Sequence, residues 1–232
     1  MTLAHHVYRQ LWISLRLVLL LALPIGAAGV TVLLASSGGV ASGTARQVYG
    51  ALLGVAAVVS AALLGAAFAR ELRDGTAGWL VVRAVPRAGL LAAWLWAPVP
   101  IVVLGMALST ALLSLGLVQA DRPPIEVEVA VATAASCMVM AVAGLAAAVF
   151  VGALLGPRPA GVVLLVGGAA LGVGSALVGP AVPLPTTGFL LAAGLTPSQP
   201  ALSVALQAMG LALASTALLW TLAAAVVSRR DL

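Results

Sequence analysis

Residues 47–69 read QVYGALLGVAAVVSAALLGAAFA, and the arginines Arg46 and Arg70 stand directly before and after this stretch. None of the residues between them is charged. An α-helix rises about 1.5 Å per residue and the hydrocarbon core of a bilayer is about 30 Å thick, so about 20 apolar residues suffice to cross it. The stretch therefore predicts a membrane-spanning helix with one arginine near each membrane surface.

The composition of the whole chain agrees with this prediction. Of the 232 residues, 63% are hydrophobic and 7% are charged, whereas a soluble globular domain carries about 25% charged residues. Since so few charges cannot cover a surface that faces water, we expect an all-α, polytopic membrane protein with a single domain over residues 1–232. The single cysteine, Cys137, excludes an internal disulfide.

Charge-free stretches elsewhere in the chain predict six spans in total. Their expected bounds are 17–36, 47–69, 89–118, 129–155, 160–177 and 201–227. Pro98 and Pro100 are expected to bend the third span. Residues 178–200, between the fifth and sixth spans, contain five prolines, and the apolar piece Gly188–Leu195 is too short to cross. We expect an external segment there that enters the bilayer and returns to the same side.

The distribution of arginines orients the six spans. If both termini lie in the cytoplasm, nine of the eleven basic residues are cytoplasmic, and only Arg46 and Arg122 are external. Short cytoplasmic loops carry such an excess of basic residues. A seventh span would move Arg229 and Arg230 outside, so we expect six spans in the cell (inner or plasma) membrane. The arginines form no basic stripe with interleaved aromatic residues, which argues against nucleic acid as a partner of this chain.

The first 15 residues predict an amphipathic helix that lies in the membrane interface before the first span. Apolar residues recur at every fourth position and polar residues take the other face. The apolar set is Leu3, Val7, Leu11 and Leu15, and the polar set is His5, His6, Arg9 and Gln10. The two histidines lack a third ligand nearby, so we assign them to the polar face rather than to a metal site. The alternative is a secretory signal peptide, although its core usually has only about 7 to 15 residues.

Residues 70–87, RELRDGTAGWLVVRAVPR, form the one substantial loop predicted on the cytoplasmic side and hold six of the seventeen charged residues. Asp74, Gly75 and Thr76 are typical of a turn, and Thr76 can cap a helix that follows it. Pro86 is expected to end that helix. A short helix along the membrane face can dock into a groove on a soluble partner. The alternative is that these charges only anchor the two neighbouring spans.

In this loop the chain resembles the type-2 ABC transporter permeases. That family has a glutamate, then Gly-Thr four and five positions later, then leucines, and then Pro-x-Ser-Arg where span three begins. The matching residues here are Glu71, Gly75, Thr76, Leu80 and Arg87. Ala84 stands where the family usually has proline, Pro86 falls two positions later, and Trp94 replaces a frequent lysine. The ending Arg229–Leu232, the interfacial helix, the six spans and the broken external segment also resemble this family.

The resemblance implies a half-transporter that is not itself an enzyme. Two permeases, identical or homologous, would form the translocation path, and two copies of an ABC ATPase subunit would bind ATP and Mg²⁺, with no cofactor in this chain. The residues implied to couple the ATPase to the spans are Glu71, Arg73, Asp74, Gly75, Thr76, Leu80, Arg83 and Arg87. The chain has no lysine, which a phosphate-binding loop of its own would need. The alternatives are a haem-export-type permease and a non-transporting structural or assembly subunit of a membrane complex.

The predicted spans contain no charged residue. This argues against a proton path and against an enzyme within the membrane, and it favours a hydrophobic or amphipathic cargo such as a drug, an antibiotic or a lipid-like molecule. The polar residues that can line a cavity between two permeases are Gln207, Ser109, Ser114 and Ser136. The alternative is that the hydroxyl groups bond to the backbone of their own helices. We predict neither catalytic nor metal-binding residues.

Overall fold

A computed structural model describes residues 3–38, 42–74, 87–120, 127–178 and 201–229, and every regular element in that part of the chain is an α-helix. The helices are α1 (Leu3–Ile13), α2 (Arg16–Ser36), α3 (Ser42–Arg73), α4 (Arg87–Trp96), α5 (Val99–Gln119), α6 (Val127–Leu154), α7 (Pro157–Val178) and α8 (Ala201–Ser228). The external segment predicted at 178–200 lies outside the described residues, apart from Val178 at the end of α7.

Six stretches within these helices are long and apolar enough to cross a membrane. They cover residues 16–36, 47–73, 88–119, 134–154, 157–174 and 206–228. The all-helical class and the six candidate spans expected from the sequence are thereby confirmed, and the chain is a multi-pass membrane protein. Their positions follow those of the charge-free stretches. These stretches are helical because a helix satisfies its own backbone hydrogen bonds where no water can do so.

Close contacts at glycines show how neighbouring spans run. A glycine without a side chain lets two helices approach closely in a membrane. The contacting pairs are Gly144 with Ala61 and Gly152 with Gly65 between α6 and α3, and Gly161 with Ala66 and Gly168 with Val58 between α7 and α3. Residue numbers rise together along α3 and α6, so these two helices run parallel. They change in opposite directions along α3 and α7, which are therefore antiparallel, as alternating passes through a bilayer require.

The third span is interrupted between α4 and α5, as its prolines predict. The helix α4 ends at Trp96 and α5 begins at Val99, with a two-residue turn between them. Pro98 and Pro100 have no N–H, so two carbonyl groups one turn earlier lose their helical donors. The N–H of Val102 donates to the carbonyl oxygen of Pro98 at 3.1 Å, within the first turn of α5.

The spans differ in how much protein surrounds them. In the second and fourth spans 50% and 56% of the apolar stretch is buried, whereas in the fifth and sixth spans 11% and 17% is buried. The core therefore lies around α3 and α6. The helix α7 packs mainly on α3, and α8 packs mainly on α6. The outer faces of α7 and α8 are apolar, so they suit lipid or another membrane subunit.

Candidate functional site

The helix α3 ends where the predicted coupling segment begins. Among the predicted coupling residues, Glu71, Arg73 and Asp74 are described with their side chains, while Arg87 is described only as the first residue of α4. The other predicted coupling residues lie outside the described part of the chain: Gly75, Thr76, Leu80 and Arg83. The coupling helix that begins after Thr76 therefore stays a prediction.

Glu71 is held inside the protein rather than at its surface. Its side chain is 7% exposed, and its Oε1 lies 2.9 Å from Nε2 of His6 in α1. In the tautomer that carries a hydrogen on Nε2, this N–H donates a hydrogen bond to the carboxylate, and the contact is an ion pair when both ring nitrogens are protonated. A buried carboxylate is costly unless it is paired and hydrogen-bonded, and His6 supplies that partner.

The sequence does not predict this pairing, because it indicates only that His6 lies on the polar face of α1. The available signal was the position of Glu71 at the membrane end of an apolar span. An acidic side chain there requires a nearby donor, but nothing in the sequence indicates that the donor lies 65 residues earlier.

The N-terminal helix docks on the protein through its apolar face. Val7 and Leu11 are completely buried, because α1 packs against α4 and α2. The predicted apolar stripe therefore contacts protein at these two positions, and the location of α1 in the membrane interface stays a prediction. Leu15 ends the stripe and is exposed, in a left-handed conformation with φ of 56°. A leucine rarely adopts this conformation, and here it turns the chain from α1 into α2.

Charged residues at the end of α3 divide between the inside and the outside of the protein. Arg70, Arg73 and Asp74 are exposed, whereas Glu71 between them is buried. The N–H of Asp74 donates to the carbonyl oxygen of Arg70 at 2.8 Å, so the helical turn is complete up to this residue. The exposed charges of Arg73 and Asp74 therefore lie at the end of α3, within the first residues of the predicted coupling segment.

Trp94 packs beneath this end of α3. Its ring centroid lies 5.5 Å from that of Phe68, with the two rings tilted by 56°, and Trp94 is 2% exposed. Its indole Nε1 is buried and has no hydrogen-bond partner within the described residues. Trp94 is thus part of the apolar core, with one N–H donor unused among the described groups.

Ser109, one of the predicted cavity residues, joins the first three spans inside the core. Its hydroxyl donates to the carbonyl oxygen of Pro24 in α2 at 2.6 Å. Because that proton is used, Ser109 Oγ accepts the hydrogen bond from the hydroxyl of Tyr49 in α3 at 2.9 Å. Ser109 and Tyr49 are 0% and 2% exposed. In this chain the hydroxyl of Ser109 fastens helices together.

The other three predicted cavity residues have different environments. Ser136 of α6 is completely buried. Ser114 of α5 is half-buried and donates to the carbonyl oxygen of Thr110 at 2.9 Å, which is the backbone bond considered as the alternative. Gln207 of α8 is exposed. Of the four, Gln207 is the one that is exposed, and a cavity between two permeases stays a prediction.

The described residues include no group of three or more His, Cys, Asp and Glu side chains that could hold a metal ion. Compared with known proteins, the chain matches no family model, no curated protein and no solved structure.

Proposed function

We propose that the chain is the membrane-spanning permease subunit of an ATP-driven ABC exporter, with ATP hydrolysed by separate subunits. The observation that carries this proposal is the spacing of Glu71, Gly75, Thr76 and Leu80 in the charged segment after the second span. This segment joins two of six apolar spans, and it begins with exposed charges on the last turn of α3. A helix in this place is positioned to receive motion from a soluble motor.

The contacts of Glu71 support a role in transmitting that motion. Glu71 precedes the predicted coupling helix by only a few residues, and it is bonded to His6 of α1. The helix α1 in turn packs on α4, which begins where the coupling segment ends. A displacement of the segment would therefore act on both of its ends and on α1 together. Glu71 would position α1, while Arg73 and Asp74 would contact the ATPase.

The exposed fifth and sixth spans support the proposal of a second permease. Only 11% and 17% of their apolar stretches are buried in this chain, and Gln207 on the sixth span is exposed. A second copy or a homologous subunit would cover part of this surface and form the translocation path with it. The mechanism would be alternate opening of that path to the two sides of the membrane, for a hydrophobic or amphipathic cargo.

A second candidate is a structural or assembly subunit that transports nothing. The burial of Ser109 and Ser136 favours it, since these hydroxyl groups hold or occupy the core of the chain instead of lining a path. It would share the six spans but would have no motor. A haem-export-type permease remains an alternative within the first proposal, because it would use the same segment for coupling.

Purification from native membranes tests the proposal. A tagged chain is expected to retain a subunit with a phosphate-binding loop, and the complex should hydrolyse ATP in lipid nanodiscs. The triple variant Arg73→Ala, Asp74→Ala and Thr76→Ala should lose this subunit. The matched control is Arg158→Ala, which removes an exposed arginine assigned to the same side of the membrane and should retain it.

Two results would contradict the proposal. One is a chain that purifies from native membranes with other membrane subunits but with no ATPase, which would favour the structural or assembly subunit. The other is a triple variant that holds the ATPase as firmly as the unaltered chain and supports the same rate of hydrolysis. That second result would remove the coupling role from residues 70–87.

A further inference from the structure

Arg16 and Arg70 lie near those ends of the first and second spans that share one side of the membrane. Arg16 is the first residue of α2 and is half-buried, and Arg70 is in the last turn of α3. The helices α2 and α3 pack against each other, and the positive charge of Arg70 acts on the guanidinium of Arg16. The bond between His6 and Glu71 fixes α1 at this same end.

Neither arginine forms an ion pair with an acidic residue in the part of the chain that the structure describes. Glu71, the acidic residue beside Arg70, is buried and bonded to His6 instead. Asp74 is exposed at the tip of α3. This end of the α2–α3 pair therefore carries two positive charges that repel each other, and the partial burial of Arg16 strengthens the repulsion.

The position of Arg16 increases this imbalance. A positive charge in the first turn of a helix meets the positive end of the helix dipole, which is unfavourable. Leu15, which precedes Arg16, supplies no side-chain hydrogen bond to the first turn of α2. An anion between Arg16 and Arg70 would offset the repulsion of the two charges, the unfavourable helix dipole and the missing side-chain cap. A phosphate group matches the paired N–H donors of a guanidinium.

The surface next to these arginines is apolar and exposed. Trp12, Ile13 and Leu15 are 64%, 70% and 67% exposed at the corner between α1 and α2. A tryptophan at the level of the headgroups, with aliphatic neighbours, is typical of a protein surface that contacts lipid. A soluble acidic partner would satisfy the arginines but would leave this surface in water. A phospholipid satisfies both, because its phosphate and its acyl chains are joined.

We propose that Arg16 and Arg70 bind the phosphate of an anionic phospholipid, whose acyl chains lie along Trp12, Ile13 and Leu15. The site belongs to the leaflet on the side of α1, which the charge distribution assigns to the cytoplasm and where anionic lipids attract basic residues. The lipid holds the corner between α1 and α2 against the end of α3. This proposal does not depend on transport or on an ATPase.

Thermal unfolding of the purified full-length chain in neutral detergent micelles tests the site. The chain is titrated with phosphatidylglycerol, and phosphatidylcholine serves as the lipid with a neutral headgroup. Phosphatidylglycerol is expected to raise the melting temperature up to a plateau, as the site becomes saturated with lipid. In the double variant Arg16→Gln and Arg70→Gln, the half-saturating concentration should rise about thirtyfold, since each basic residue near an anionic surface contributes about fivefold to binding.

The matched control is the double variant Arg158→Gln and Arg229→Gln. It removes the same charge from exposed arginines assigned to the same side and should retain the affinity of the unaltered chain. Circular dichroism and gel filtration establish that each variant is folded. Equal losses in both variants would show attraction to net charge alone and would overturn the proposal. So would equal stabilisation by phosphatidylcholine, or saturation by inorganic phosphate without lipid, which would assign the arginines to a free anion.

Discussion

Removal of the hydroxyl group of Ser109 tests whether the polar network fastens the first three spans. In Ser109→Ala the carbonyl of Pro24 loses its 2.6 Å donor, and the hydroxyl of Tyr49 loses its 2.9 Å acceptor. A hydrogen bond between membrane helices contributes about 0.6 kcal/mol on average and about 1.7 kcal/mol at most. The buried Tyr49 hydroxyl, left without this acceptor, adds about 1 kcal/mol or more. We therefore expect Ser109→Ala to cost about 2 to 3 kcal/mol.

Tyr49→Phe should cost less, about 1 kcal/mol, because Ser109 keeps its bond to Pro24 and only an acceptor becomes free. The double variant should cost less than the sum of the two single variants, since no unbonded hydroxyl group remains in it. Thr110 donates its proton to Met106, so its Oγ1 can accept from Tyr49, but at 3.5 Å it replaces the lost acceptor only in part.

The assay is reversible unfolding in mixed micelles with rising fractions of sodium dodecyl sulphate, followed by circular dichroism. The control is Ser215→Ala on α8, where a half-buried serine donates to the carbonyl oxygen of Leu211 in its own helix at 2.8 Å. This variant should change stability by less than about 0.5 kcal/mol. The reasoning is refuted if the free energies of the two single variants add, or if Tyr49→Phe is the more damaging of the two.

Three further outcomes are expected. In His6→Ala, Glu71 loses its partner at 2.9 Å, so α1 should be held less firmly and a protease should cleave between α1 and α2 faster than in the unaltered chain. Equal cleavage rates would contradict the role of the His6–Glu71 hydrogen bond in holding α1. Gly152→Leu should lower the melting temperature strongly, because a Cβ there would lie 2.7 Å from a backbone oxygen of α3. The control Gly210→Leu should change it little, because nothing lies within 4 Å of a Cβ at that position. Equal effects of the two variants would count against the packing of α3 on α6. Cys137 is 1% exposed and should react with a membrane-permeable maleimide only after unfolding, as intact mass spectrometry would detect.

The spans could be predicted from the sequence because each depends on a local property. A charge-free run of about 20 residues needs no knowledge of the rest of the chain to be assigned to the bilayer. The break at Pro98 is local in the same sense, since it follows from one missing N–H. Residue identity alone thus gave the number of spans, their approximate bounds and the interruption of the third.

The contacts between helices could not be predicted in this way. Nothing in the composition of α1 indicates that His6 meets Glu71, or that Val7 packs on other helices of the protein. Ser109 illustrates the same limit, because a serine in a span can line a cavity, bond to its own helix or bond to a neighbour, and the sequence leaves these alternatives open. In the structure Ser109 is buried and forms hydrogen bonds to the neighbouring helices α2 and α3.

Hydrogen bonds and apolar packing both hold the helices together, and helices joined by hydrogen bonds are harder to separate in a membrane. Separating α2, α3 and α5 would leave the hydroxyl groups of Tyr49 and Ser109 without partners in lipid, where no water replaces them. The contact of α7 with α3 is apolar, for example at Gly168 and Val58, and lipid chains can cover apolar surfaces almost as well as a helix does. We therefore expect α2, α3 and α5 to move as one body and α7 to shift against it. Spin labels on paired spans would measure this, and a distance between α2 and α3 that varies more than that between α3 and α7 would contradict it.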